Sequence, residues 1–247
     1  MRIAQLVAST TFLAAMAAPL GAQGTGNGFL FGAPDARLSL HAGYAHASAK
    51  SDLFDFVIDN LTLERSAFSG PSVGADLAVT LAPRVDLTFS VDYAAAVRNS
   101  EDRRFAEGAD NLPIQQTTSF RRVPVTANAI FYLAPRGRSI GQLAWIPAKV
   151  VPWIGAGGGT MWYRFQQEGD FVDYQTLNIF TAKLESSGWA PMVQGLGGVD
   201  VTLTPRVAFT LDGRYTWAKG SLSSDFTDFS KIDLSGLTGS LGFTVRL

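Results

Sequence analysis

Cysteine is absent from the 247-residue sequence, and histidine occurs only twice. The lack of cysteine excludes a disulfide framework, a thiolate-bound metal and a lipid anchor attached to an N-terminal cysteine. The formal net charge is −1, so the composition gives no indication of nucleic acid as a partner. No cluster of metal-ligating or cofactor-binding residues stands out, and we expect neither a metal site nor a cofactor.

Long apolar runs are missing after the N-terminus, which argues against transmembrane helices. The one such stretch, Met1 to Ala22, has Arg2 ahead of small and apolar residues and ends in alanine. This pattern is typical of a cleaved secretory signal peptide, which we place at 1–22. The glycine-rich segment at 23–36 is expected to be a flexible periplasmic lead-in.

A turn and the strand after it occur twice in the sequence. Leu81–Tyr93 and Leu203–Tyr215 align without gaps and share 6 identical residues in 13 positions. In the first copy Val85, Leu87 and Phe89 alternate with polar residues, and a period of two is typical of a β-strand. The Pro-Arg before each strand ends the preceding one, because proline has no amide hydrogen to donate to a ladder. The chain is therefore predicted to consist of antiparallel hairpins.

The same alternation predicts eight strands and no helix. The predicted strands are 37–47, 72–81, 85–97, 120–133, 151–165, 189–203, 207–217 and 237–247. Long polar loops alternate with connections that contain Pro-Arg, as short periplasmic turns alternate with long extracellular loops in outer-membrane barrels. The predicted fold class is all-β: one eight-stranded antiparallel up-and-down transmembrane β-barrel over residues 37–247.

The distribution of lysine and glutamate separates a membrane barrel from a soluble one. All five lysines and all five glutamates fall in the predicted connections. One face of the strands carries small polar residues with a few Asp and Arg, and the other carries Val, Leu, Phe and Ala. Small polar groups suit the interior of a narrow barrel, so the apolar face is expected to meet outer-membrane lipid. Aromatic residues near strand ends are predicted to form the interface girdles: Tyr93, Phe131, Trp145, Trp153, Trp189, Tyr215 and Trp217.

Charged residues on the inward face are expected to form two clusters that plug the lumen. By parity the inward set comprises Asp76, Asp86, Asp92, Asp200, Asp212, Arg214 and Arg246. Position along the strands puts Arg214 at mid-height with Asp76, Asp92 and Asp212. Arg246 is expected lower, with Asp86 and Asp200. His41 is predicted to be a further inward polar group.

The whole predicted barrel resembles the small outer membrane protein β-barrel domain family, the eight-stranded relatives of opacity-type surface proteins. The resemblance lies in the P-W-I-G-A-G-G-G-T-M-W-Y run at Pro152–Tyr163, the two P-R-V units and the closing S-L-G-F-T-V-R-L at Ser240–Leu247. It implies a bacterial outer-membrane location and insertion by the barrel assembly machinery. Members commonly end in an aromatic residue, whereas this chain ends in Leu247, with Phe243 four residues earlier.

Three kinds of function remain open at this point. The expected one is non-enzymatic: a structural or surface-exposed protein whose long loops contact extracellular partners. A narrow channel or carrier for small apolar molecules is an alternative. A lipid A-modifying hydrolase is another, because His46 and Ser48 share one face of the first strand and their H-x-S spacing is similar to that of lipid A deacylases.

The glycine run at 155–159 does not favour a dinucleotide site. The third glycine of that fingerprint would fall at Thr160, and the residues that follow predict a strand and not a helix.

Overall fold

The computed structural model describes residues 28–107, 112–141, 143–173 and 176–247. The predicted signal peptide at 1–22 lies outside the described residues. The part of the lead-in that is described contains a two-residue strand, Leu30–Phe31, which pairs with Ala144 and Trp145 at the short-turn end of the molecule. This segment is therefore joined to the rest of the fold.

Within the described residues, eight long antiparallel strands form a closed ring. They are β1 (Ala36–Ala47), β2 (Gly70–Ala82), β3 (Val85–Glu107), β4 (Leu112–Tyr132), β5 (Val150–Val172), β6 (Ile179–Thr202), β7 (Val207–Gly220) and β8 (Gly236–Arg246). Each strand pairs with the next in sequence, and β8 pairs with β1. The predicted eight-stranded up-and-down barrel is confirmed.

The register of the strands makes the barrel narrow. Cross-strand partners followed once round the ring lead from Arg37 of β1 back to Ala47 of β1, which is ten residues further along that strand (47 − 37). Such a stagger tilts the strands against the barrel axis, and eight strands at this tilt enclose a space that side chains fill. Residues on opposite walls can therefore touch.

The outer wall is apolar around its whole circumference. Each strand exposes a large apolar side chain near mid-height, between 41% and 58% accessible: Leu40, Leu77, Phe89, Val125, Ile154, Val193, Leu211 and Leu241. Their sequence neighbours point inward and are mostly polar or small, which follows from the two-residue period. A continuous apolar belt of this kind is built to face lipid and not water.

The end that carries the long loops contains the one α-helix of the described chain, α1 (Asp52–Asn60), so the prediction of no helix is wrong. Its apolar residues Leu53, Phe54 and Val57 are buried. The ring of Phe54 packs against those of Phe68 and Phe165 with centroids 4.6 Å and 5.7 Å apart. The helix thus seals an apolar cluster inside the mouth of the barrel. Among the described residues, no helix is both long and apolar enough to cross a membrane.

Two hairpins extend well beyond the apolar belt at this end. The segments 98–118 and 166–187 were predicted to be loops, but β3 continues to Glu107, β4 begins at Leu112, and β5 and β6 pair up to Val172 and Ile179. These parts are polar, so they lack the apolar/polar alternation that identifies a strand with one buried face. The β5–β6 ladder continues without a break to its outer end, whereas the β3–β4 ladder shifts its register between Glu101 and Ala106.

At the opposite end, the connection between β4 and β5 folds into a small sheet. The strands Gly137–Ile140 and Ala144–Pro147 pair with each other, and Leu30–Phe31 adds a third strand. The other two connections at this end are tight turns at 83–84 and 203–206.

Candidate functional site: the charged lumen

An arginine at mid-height binds three carboxylates in the lumen. Arg214 of β7 donates from Nε to Asp212 at 2.9 Å, from Nη1 to Asp92 at 3.1 Å and from Nη2 to Asp76 at 3.0 Å. Its side chain is 7% exposed. Because β3 and β7 lie four strands apart in an eight-strand ring, the contact with Asp92 connects opposite walls. The structure therefore brings together the four residues that parity had placed in a middle cluster.

His41 of β1 also belongs to this middle layer. Its Nε2 lies 2.6 Å from Asp92, and its Nδ1 lies 3.3 Å from Asp76, although only the first contact has hydrogen-bond geometry. The cross-strand neighbour of His41 is Gly74, and a side-chain carbon there would overlap both the imidazole and the Asp92 carboxylate. A glycine at position 74 is therefore a requirement of the His41–Asp92 contact.

A second layer lies nearer the short-turn end. Asp86 is fully buried and accepts from Arg37 Nη2 at 2.7 Å, from Arg136 Nη1 at 2.8 Å and from the Tyr132 hydroxyl at 3.2 Å. Arg37 also donates from Nη1 to Asp200 at 2.9 Å. Both guanidinium groups lie about 5 Å from the centre of the Tyr132 ring, close enough for a cation–π contact. This layer joins β1, β3, β4, β6 and the β4–β5 connection.

Arg246 does not hold the lower layer, contrary to the sequence prediction. It donates to Thr202 Oγ1 at 2.8 Å and to two carbonyl oxygens of the β6–β7 turn, and its guanidinium lies 6.0 Å from the Trp145 ring centre. Among the described residues, neither Asp86 nor Asp200 lies within ion-pair distance of it. The reason is its height: it is the last residue of β8 and sits at the rim of the barrel.

The two arginines that do hold this layer were missed for different reasons. Arg37 has the same parity as His41, so its inward direction could have been read from the sequence. Arg136 lies outside the barrel strands, in the connection between β4 and β5, where no period indicates which way a side chain points. Its position depends on the tertiary path of that connection.

A set of uncharged polar side chains lies between the two layers. Gln194 donates from Nε2 to Asn128 Oδ1 at 2.7 Å and to Thr126 Oγ1 at 3.1 Å, and Asn128 donates to Ser90 at 3.2 Å. Cavities of about 40 Å³ lie on either side of Arg214, each with room for a few water molecules. The middle of the lumen is thus mostly polar, with buried apolar side chains such as Ile130 and Leu196 beside these groups.

The cavity on the extracellular side of Arg214 contains a buried arginine that was not among the predicted lumen residues. Arg122 of β4 is 7% exposed, lines this cavity and lies 5.0 Å from the centre of the Phe120 ring. Among the described residues its guanidinium group makes no hydrogen bond or ion pair. The Ser72 hydroxyl in the same cavity also lacks a hydrogen-bond partner among the described residues.

The two residues of the proposed hydrolase motif are not brought together. His46 points outward near the top of β1, and its Nδ1 lies 3.2 Å from the hydroxyl of Ser69, not of Ser48. Ser69 is buried and also accepts a hydrogen bond from the amide of Ala47 at 3.0 Å. A buried hydroxyl that already accepts a backbone hydrogen bond is poorly placed to attack a lipid ester.

Solved structures of bacterial outer-membrane proteins are similar to this chain. OprG from Pseudomonas aeruginosa has a TM-score of 0.51 at 12% identity, over 88% of this chain and 98% of that chain. The chain has the outer-membrane β-barrel fold. Two further similar structures are Neisserial surface protein A (TM-score 0.44, 16% identity, 90% and 98% covered) and a major outer membrane protein from Thermus thermophilus (0.45, 13%, 86% and 99%). No protein-family model and no curated protein matches the sequence.

In an outer-membrane barrel the long loops are extracellular and the short turns periplasmic, which orients the molecule.

Five of the seven predicted girdle residues lie on the outer wall and are at least 36% exposed: Tyr93, Phe131, Trp189, Tyr215 and Trp217. The prediction is wrong for Trp153 and Trp145, which are 8% and 6% exposed.

Trp153 points into the lumen and donates to Asp200 at 3.2 Å. Its cross-strand neighbour is Gly198, which leaves room for the indole. Trp145 lies in the small periplasmic sheet, outside the barrel strands.

Proposed function

We propose that the protein is a non-enzymatic, surface-exposed outer-membrane barrel whose lumen is closed to solutes. The observation that carries the proposal is the pair of ion-pair layers, centred on Arg214 and Asp86, which connect opposite walls at two heights. A solute would have to break several buried ion pairs at each layer, and an uncompensated buried charge is strongly unfavourable.

The extracellular mouth adds a third obstruction of a different kind. The apolar cluster under α1 contains Phe54, Phe68 and Phe165, all at most 2% exposed. The loop that carries α1 is bound to the β7–β8 loop, because Asp52 accepts from the amide and the hydroxyl of Ser230 at 2.8 Å and 2.9 Å. Both loops are therefore held over the barrel.

A carrier for small apolar molecules is less well supported. The cavity between the layers is lined mostly by hydroxyls, amides and charged groups, although Ile130 and Leu196 also face it. An apolar molecule there would leave the polar groups without partners. The surface role rests instead on the two hairpins that project from the membrane. Their outer parts expose Leu112, Leu177 and Phe180, which are 48–63% accessible and suited to contact with an extracellular partner.

The non-enzymatic assignment predicts that the purified protein does not release acyl chains from lipid A. His46 has a buried serine as its neighbour, so His46→Ala, Ser48→Ala and Ser69→Ala should leave the lipid unchanged, as the unmutated protein does. Mass spectrometry of lipid A incubated with each protein measures this directly. Acyl release by the unmutated protein that is lost in His46→Ala and in one of the two serine variants would establish the hydrolase instead.

A further inference from the structure

Two arginines face each other on the outer wall of the barrel. Arg121 of β4 and Arg164 of β5 are direct cross-strand partners. Their neighbours Phe120 and Phe165 are buried inside the barrel, so the alternation of the strands sends both arginines outward. Neither arginine takes part in the ion-pair layers of the lumen.

The pair lies just outside the apolar belt on the extracellular side. One outward position lower, Trp162 of β5 pairs with Trp189 of β6, and Trp189 is 64% exposed. Tryptophan at this kind of position marks the boundary between hydrocarbon and head groups. The Arg164 guanidinium lies 5.4 Å from the Trp162 ring centre, so it stands at the level of the lipid head groups.

The charge of the pair is only partly compensated. Like charges directly opposite each other on a sheet are unfavourable. Arg164 Nε lies 3.1 Å from Glu185, without hydrogen-bond geometry, and this pair is about one-third exposed on both sides. Among the described residues, the guanidinium group of Arg121 has no hydrogen bond or ion pair. Two guanidinium groups against one carboxylate leave a net positive charge at this place.

The geometry points to a binding site for the phosphate group of an outer-leaflet glycolipid. Guanidinium groups bind phosphate through paired hydrogen bonds, and two that converge from neighbouring strands can share one phosphate. Acyl chains attached to that head group would run down the apolar wall below, past Val125 and Val193, which are 41% and 58% exposed. The inference depends on the outer-membrane location but not on the closed lumen, so each can fail without the other.

Native mass spectrometry of the full folded barrel in detergent tests this site. The probes are bisphosphorylated lipid A, lipid A from which both phosphates have been removed, and inorganic phosphate alone. The variants are the double substitution Arg121→Gln/Arg164→Gln and, as a matched control, Arg138→Gln, an exposed arginine at the periplasmic end. A heat-modifiability gel checks that each variant is folded.

Bisphosphorylated lipid A should remain bound to the unmutated protein and to Arg138→Gln, and its affinity should fall about tenfold or more in the double variant, since each arginine near an anionic surface contributes about 1 kcal/mol. The dephosphorylated lipid should bind weakly to all three proteins. Equal binding of both lipids, or an unchanged affinity in the double variant, would overturn the site. Inorganic phosphate that binds as tightly as the lipid would overturn the lipid as its occupant.

Discussion

The Arg214→Met variant should lose about 3–5 kcal/mol of unfolding free energy, the range expected when one partner is removed from a buried ion pair. Methionine fills much of the space of arginine but leaves Asp76, Asp92 and Asp212 close together without their shared cation. His41 contacts only the first two, so Asp212 would keep only neutral partners such as the Ser240 hydroxyl at 2.7 Å. Unfolding by guanidinium chloride, with the protein folded in lipid bilayers, measures this change in unfolding free energy.

The control for this variant is Arg138→Met in the periplasmic hairpin, which should change stability by less than about 0.5 kcal/mol because the side chain is exposed. Arg103 is a poorer control, since it donates to the carbonyl oxygens of Leu61 and Leu63. Arg214→Lys should fall between the unmutated protein and the methionine variant, because an ammonium group keeps the charge but not the fork of donors. Equal stability of Arg214→Met and Arg138→Met would show that the middle layer contributes nothing.

Asp86→Ala is expected to have an effect of similar size, about 3–5 kcal/mol, at the lower layer. The substitution removes the shared acceptor of Arg37 and Arg136, and it also leaves the Tyr132 hydroxyl without its partner. Arg37 would retain Asp200, but Arg136 would retain only neutral acceptors. The same bilayer titration applies.

Two comparisons make this second result specific. Asp55→Ala removes the partner of Arg65 in a pair that is about half exposed on both sides, and should change stability by at most about 1 kcal/mol. Arg246→Met should be milder than Arg37→Met, because Arg246 donates only to neutral acceptors among the described residues. If Arg246→Met lost more unfolding free energy than Arg37→Met, the prediction from the sequence, in which Arg246 holds the lower layer, would be favoured instead.

The middle layer could be predicted because two rules are enough to locate it. Strand parity gives the inward direction of Asp76, Asp92, Asp212 and Arg214, and the distance from the Pro-Arg turns gives their height. In a narrow barrel, shared direction and shared height bring side chains together. Both rules depend only on residue spacing, which the sequence contains.

The lower layer could not be predicted in the same way, because its members do not all belong to regular strands. Arg136 reaches Asp86 from a connection, and a connection has no period.

Trp153 was predicted to belong to a girdle because tryptophan near a strand end is typical of one. Its inward parity and the space at Gly198 put it against Asp200 instead. Local composition was here a weaker guide than parity.

The extracellular elements show a further limit. The sequence of α1 contains apolar residues at helical spacing, Leu53, Phe54 and Val57, but the polar residues around them favour a loop. The helix is held by packing against Phe68, which lies later in the same loop, and against Phe165 of β5. Its formation is thus decided by tertiary contacts more than by local propensity.

The claim that the lumen is closed is tested most directly by single-channel recording of the unmutated protein in a planar lipid bilayer. With ion-pair layers at two heights and an apolar cluster at the mouth, we expect no steady current above the bare bilayer at moderate voltage. Stable openings of large conductance in a preparation shown to be folded would contradict the closed lumen and would establish a pore.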